Sequence, residues 1–209
     1  MKNIGQCQHT WIYYLEFRLI LGCISFSLER GFHYAQMFLI LKEYDIIDIV
    51  FEGVVWMKTR LYKQSDLDSI LKLFYDNIHT VCVNDYTLEQ LDAWAPKNPD
   101  IYRWQASLNR NHTLVVEKES QIIGFGDVGE TGYLDRLYVH PDYLHQGIAS
   151  LIAQQLEKYA KAKGIAFMNT AASVTSQPFF EKMGYVVLEE QIVERRGVRI
   201  RRYLMEKRL

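Results

Sequence analysis

Between Leu137 and Ile152 the chain reads LYVHPDYLHQGIASLI: an apolar strand-like run, a proline turn, then a helical period that opens directly behind a glycine. A helix that begins straight after a strand leaves its first amide N–H groups without acceptors, backed by the positive end of its dipole. Such a junction can hold a phosphate. Gly147 lets the backbone approach a ligand with no Cβ in the way, and Ala149 keeps the next turn small. Small residues at a strand–helix junction also serve close packing, so the spacing alone leaves both roles open.

The other reactive side chains form no set with a recognisable spacing. Cys7, Cys23 and Cys82 are an odd number without metal-ligand spacing, which argues against a disulfide framework or a zinc site and fits a reducing, cytoplasmic setting. The six histidines are scattered, so no metal is expected. A net charge of −1 and a pI near 6.6 exclude wholesale binding to nucleic acid or to an anionic membrane. The arginine-rich ERRGVRIRR, residues 194–202, reads as the solvated face of a hairpin guarding an exposed edge. Contact with an anionic partner, a ligand's phosphate or an acidic protein, is the lesser reading of that run.

The elements that must position the junction begin late in the chain. Residues 1–56 are rich in Phe, Tyr, Ile and Leu, but their uncharged run from Leu19 to Leu28 is far short of the roughly 20 residues a membrane span needs. An extra helical hairpin is the structural expectation there. A second expectation comes from the codons. Glu52-Gly53-Val54 requires a purine-rich stretch resembling a bacterial ribosome-binding site just ahead of Met57, so translation starting at Met57 would leave 57–209 as the working domain.

From Met57 the punctuation is regular. MKTRLYK alternates as a strand; Ser65 and Asp68 suggest a cap for an amphipathic helix carrying Leu67, Ile70, Leu71, Leu73, Phe74 and Ile78. Thr87 and Gln90 form a capping box, Pro96 closes that segment, and Trp104 with Leu108 suggests another short helix. TLVVEKE and QIIGFGDVG then read as a hairpin turning at Glu119-Ser120, with YLDRLYVH as the following strand. A helix from Ile148 to about Lys163 stops at Gly164, a buried strand and a short helix with Pro178 follow, and a hairpin closes the chain. The order β-α-α-β-β-β-α-β-α-β-β is that of an α+β layer around one mixed sheet.

With that order in place, VHPDYLHQGIAS and FFEKMGYVV resemble the GNAT superfamily of N-acetyltransferases from about Lys58 to Leu209. The family's loop runs Arg/Gln-x-x-Gly-x-Gly/Ala between a strand and a long helix. The resemblance implies a mostly antiparallel central sheet flanked by helices. It implies acetyl-CoA as acetyl donor, its pyrophosphate on the amides of His145, Gln146, Gly147, Ile148, Ala149 and Ser150, and its pantetheine arm paired with the backbone of Leu137, Tyr138 and Val139. Leu144 stands where the family carries Arg or Gln, which puts in doubt the strength of the phosphate grip. Asp135 matches a position where some members carry a glutamate base, although pairing with a neighbouring arginine is the plainer role for it. Phe180 occupies the place of a tyrosine acid in many relatives, and Ser173 that of an asparagine on pantetheine, with capping of the next turn as its alternative role.

Tyr86, Trp94, Trp104 and Glu130 are the residues expected near an acceptor, although tryptophans at helical spacing commonly belong to the core. The function these features imply is direct transfer of acetyl to the primary amine of a small molecule, without a covalent acetyl-enzyme. Two alternatives stand beside it: a catalytically degenerate acyl-CoA-binding module, and acetylation of a protein N-terminus or lysine. A small-molecule amine is the expected partner, nucleic acid and membrane are not, and monomer and homodimer both stay open.

Overall fold

A computed structural model of the chain describes the backbone of residues 16–20, 23–30, 33–42, 46–51 and 54–209, with side chains from Met57 onward. The chain divides into two compact units, Met1–Lys58 and Thr59–Leu209. In the first, Glu16–Ile20 (β1), Cys23–Arg30 (β2), His33–Lys42 (β3) and Ile46–Phe51 (β4) pair in chain order, each antiparallel to the last. The expected helical hairpin is therefore corrected wherever this backbone is described. A composition dominated by Ile, Phe and Tyr suits a pleated surface better than a helix. The part of that expectation falling on residues 1–15 lies outside the described residues.

The second unit is organised by a seven-stranded sheet. Its strands are Val54–Leu61 (β5), His112–Lys118 (β6), Gln121–Val128 (β7), Tyr133–Val139 (β8), Phe167–Ser173 (β9), Val186–Arg195 (β10) and Val198–Arg208 (β11). Their spatial order is β5-β6-β7-β8-β9-β11-β10. The pairs β6/β7, β7/β8, β9/β11 and β10/β11 are antiparallel, and only β8/β9 among the registered pairs is parallel. Three helices, Leu67–Val81 (α1), Leu88–Trp94 (α2) and Ile101–Arg110 (α3), link β5 to β6; the third is the short helix that Trp104 and Leu108 suggested, which the element order above did not count. Asp100 makes the difference: its carboxylate accepts from Arg103 N–H at 3.0 Å and starts a new helix right after the proline-rich turn.

Alternation along β7 sets the two faces of the sheet. Phe125 points to one face, where Ile70, Leu73, Phe74 and Ile78 of α1 join Leu108 and Val115 in the core. Gly124 and Gly126 point to the other, toward Ile148–Ala162 (α4). A Cβ on either glycine would stand 2.8 Å from a methyl of Ile148 or Ile152, so their bareness lets α4 lie close against β7. Lys207 fixes the same helix from β11, its ammonium donating to both oxygens of the buried Glu157 at 2.7 Å.

Several local expectations are met and one is replaced. Thr87 Oγ1 accepts from Gln90 N–H while Gln90 Oε1 accepts from Thr87 N–H, the reciprocal cap. Glu119 and Ser120 both take positive φ in the hairpin turn, as the twist of the flanking strands requires. Ser65, however, does not cap α1. Residues Gln64–Asp66 wind a single 3-10 turn first, and the Asp66 carboxylate is drawn back to Arg60, 2.7 Å from Nη1, and to Lys63 N–H. Those contacts hold its carboxyl below the usual range even though burial pushes the other way.

Candidate active site

β8 and β9 are in register only at Tyr133–Asn169 and Leu134–Thr170, and beyond these pairs they part. A cleft of about 620 Å³ opens in the gap. Its construction follows from backbone geometry. His140 N–H donates to Ile123 O at 2.8 Å, so alternate residues Tyr138 and Arg136 turn their backbone groups to β7 while Leu137 and Val139 turn theirs to the gap. The chain thus presents an unpaired strand edge in the middle of a sheet. One of its carbonyls is already used: Asn77 Nδ2 on α1 donates to Val139 O at 2.7 Å, tying that helix to the wall of the cleft.

The glycine junction closes the end of the cleft. Pro141–Tyr143 form a 3-10 turn, His145 and Gly147 both take positive φ, and α4 begins at Ile148. The φ of +81° at Gly147 is one that L-residues avoid, and a Cβ built there would meet nothing within 4 Å. The glycine is therefore favoured by its conformation, and no neighbouring side chain demands it. The first amides of α4 have no intrahelical acceptors and lie at the cleft.

A second, smaller cavity of about 410 Å³ adjoins the first, and the two share Trp94, Asp135 and Tyr138. Its floor is a charged cluster. Arg136 is 14% exposed; its guanidinium donates to Asp127 Oδ2 at 2.9 Å and Ser107 Oγ at 3.0 Å, and lies 4.5 Å above the Trp104 ring. Asp127 is fully buried, accepts also from Asn111 Nδ2, and leaves Oδ1 without a hydrogen-bond partner among the described residues. Burial outweighs the neighbouring arginine and pushes its pKa up to about 6. Asp135 sits where the register slips: Asp127 faces Arg136 and Val128 faces Leu134, leaving Asp135 as the extra residue of a bulge. Its carboxylate is 38% exposed, 3.3 Å from Arg136 Nη2, at the boundary of both cavities. The rim carries Arg103 from α3 and Arg195 and Arg196 from the β10–β11 turn.

The order of these elements, and the cleft they frame, match a known architecture. Residues 82–208 fit the family model described as an acetyltransferase (GNAT) domain. The chain belongs to the GNAT family of N-acetyltransferases. Among curated relatives it is 30% identical to an uncharacterised N-acetyltransferase, YafP, of Escherichia coli K12, over 68% of this chain and 89% of that one. A crystal structure of a GCN5-related N-acetyltransferase from Rhodopseudomonas palustris superposes with a TM-score of 0.71 at 29% identity, covering 75% of this chain and 98% of that one. The PaiA N-acetyltransferase of Thermoplasma acidophilum, solved in complex with coenzyme A, shares the fold at a TM-score of 0.61 and 20% identity, over 73% of this chain and 99% of that one. As in the rest of the GNAT family, the sheet is mixed, mostly antiparallel and flanked by helices.

Within this GNAT domain the residues expected to hold the donor are brought together, with one exception. Leu137, Tyr138, Val139, His145, Gly147, Ile148, Ala149, Ser150, Ser173 and Phe180 all line the larger cleft. Gln146 does not, and its amide turns back to Asp142 O at 3.4 Å. Ser173 Oγ accepts from Ser176 N–H at 3.0 Å, so it braces the turn into Gln177–Lys182 (α5) while also facing the cleft. Of the acceptor candidates, Trp94 and Trp104 line the smaller cavity. Tyr86 is a structural clasp, its hydroxyl donating to Arg201 O at 2.9 Å and accepting from Val174 N–H at 2.8 Å. Glu130 lies in the β7–β8 turn and borders neither cavity. Sequence reasoning missed Asp127, Arg136, Arg103 and the two turn arginines. For Arg195 and Arg196 the advance signal was the run at 194–202, which reads more simply as a solvated edge.

Proposed function

We propose that this chain transfers acetyl from acetyl-CoA directly to the primary amine of a small molecule, with residues 57–209 as the working domain. The observation that carries this is the meeting of two cavities at Asp135: a cleft with an open strand edge and bare helix amides on one side, an aromatic and charged pocket that opens to solvent on the other. The cleft fits a long, phosphate-bearing thioester. Leu137 and Val139 would pair with its amide arm, and the loop at Gly147 with its pyrophosphate. Acetyl-CoA, when bound, supplies an activated acetyl group; the residues of the chain do the rest.

Asp135 would draw an ammonium into the shared boundary and take the proton whose loss frees the nitrogen's lone pair; once that nitrogen has bonded to the acetyl carbon, its second proton passes to water as the thiolate leaves. Backbone amides of the β8 edge near Val139 would face the oxygen on which charge develops. Phe180, packed on Tyr185 at 5.2 Å between ring centres, offers no proton. A departing thiolate with a reference pKa of about 8.5 can take its proton from water instead. With a volume of about 410 Å³ and Trp94 and Trp104 in its lining, the pocket has room for a small amine.

Calorimetric titration of acetyl-CoA into the full chain, beside a Gly147→Glu variant, tests the donor half first. Micromolar binding that the variant abolishes is expected. Binding followed by no turnover on any amine would favour a degenerate acyl-CoA-binding module, and no binding by the folded chain would remove the acetyltransferase proposal.

A further inference from the structure

The smaller cavity contains more positive charge than an amine-binding site needs. Arg136 on the floor is anchored and compensated by Asp127 and Asp135. The three rim arginines differ. Among the described residues, neither Arg103, Arg195 nor Arg196 has a carboxylate within ion-pair distance. They come from elements about ninety residues apart in sequence and converge over one opening. Asp100, the remaining acid of the lining, is occupied as the cap of α3. Like charges gathered over a cavity repel one another and focus a positive potential into it. A hairpin merely guarding its edge would have no reason to aim two arginines at the same opening as a helix on the far side of the pocket.

We infer that the acceptor is an amine that also carries an anionic group, a carboxylate or a phosphate. Its ammonium would lie toward Asp135 and its anion toward Arg103, Arg195 and Arg196. Planar guanidinium groups hold either anion through paired N–H donors. At about 410 Å³ the cavity suits a molecule the size of a short amino acid or aminoalkyl phosphate. The inference rests on the acetyltransferase proposal for the direction of the amine, but the anion site itself can be tested without turnover.

The experiment uses the full chain and matched amines. Acetyl transfer to β-alanine and 2-aminoethyl phosphate is compared with transfer to propylamine, ethanolamine and 1,3-diaminopropane. The anionic amines should be preferred in kcat/KM by about tenfold or more, and an Arg195→Gln, Arg196→Gln double variant should reduce that ratio by about tenfold, the scale of a charge-assisted contact. Whether carboxylate or phosphate leads decides between the two sources of the anion. In parallel, β-alanine and 2-aminoethyl phosphate are titrated calorimetrically into the chain saturated with CoA, with the double variant as control. Arginine-dependent binding without transfer to any amine would keep the anion site and overturn the transferase reading. Transfer with no charge preference, or with the dication preferred, would overturn the anion site and leave the transferase. Loss of acetyl-CoA binding in the double variant would also overturn it, by assigning the arginines to the donor.

Discussion

The two cavities of this domain are built from different materials. The larger is made of main chain: an unpaired strand edge along β8, a left-handed glycine and the first amides of α4. The smaller is made of side chains, gathered from α2, α3, β8 and the β10–β11 turn. Backbone recognition needs particular residues only where a side chain would obstruct it, so it leaves a short local pattern. Recognition by side chains needs convergence in space and leaves no such pattern. On the function proposed above, the division would also separate tasks, the cleft holding a fixed donor while the smaller cavity could be rebuilt residue by residue for its acceptor.

Variants on the two sides should therefore separate cleanly. The largest effect is expected from Gly147→Glu: a side chain with charge and bulk enters the space open to the donor, and acetyl-CoA binding should fall below detection. Thermal unfolding of the same variant should shift little, because the new Cβ meets no protein atom and left-handed strain costs only about 1–2 kcal/mol. Extensive unfolding would mean that the glycine serves the fold and not the ligand.

Asp135→Asn belongs to the boundary. It should lower kcat/KM for any accepted amine by about 10²-fold or more while leaving the dissociation constant of acetyl-CoA unchanged. An equal loss in both would place Asp135 in the donor site.

Asp127 sharpens the contrast through stability. Its folded pKa is raised to about 6, so the folded state resists ionisation where the unfolded chain does not. The stabilisation this gives is complete below pH 4 and disappears as pH rises through 6. Relative to Asp127→Asn, the native sequence should lose about 3 kcal/mol of unfolding free energy between those limits. Urea denaturation of both proteins across that range measures it, and parallel pH dependences would show that Arg136 compensates the carboxylate fully. Gly126→Ala should cost about 1–3 kcal/mol by forcing α4 from β7, with acetyl-CoA affinity falling in step as the helix start is displaced. The smallest effect is expected from removing residues 1–56, after which acetyl-CoA should bind 57–209 as it binds the full chain.

Much of the second unit was legible in sequence for a physical reason. Its caps and turns are local devices: Thr87 with Gln90, Glu119-Ser120, Gly164 and Pro178 each act within a few residues of themselves. Where a long-range contact overrode a local one, the sequence misled. Asp66 answers to Arg60 in place of the helix behind it, and Ser65 loses the cap that its spacing suggested. The junction at Gly147 was legible because conformation restricts residue type there. Arg136 was not, since nothing in YLDRLYVH distinguishes an arginine anchored by a buried aspartate from one on a solvated strand. The bulge that sets Asp135 apart is a slip in pairing with β7 and is invisible in β8 alone. Over residues 16–51 the expectation of helices weighed the apolar runs and undervalued the aromatic and β-branched content that makes strands.

The buried pair beneath the smaller cavity has an evolutionary consequence. Any replacement of Arg136 strips Asp127 of its only cationic partner among the described residues and leaves a carboxylate in the core with one oxygen already unsatisfied. That floor is locked to folding and cannot drift with the substrate. The rim arginines carry no such debt. If these arginines read the acceptor as proposed, a change of substrate would be written at positions 103, 195 and 196, over a floor that stays the same.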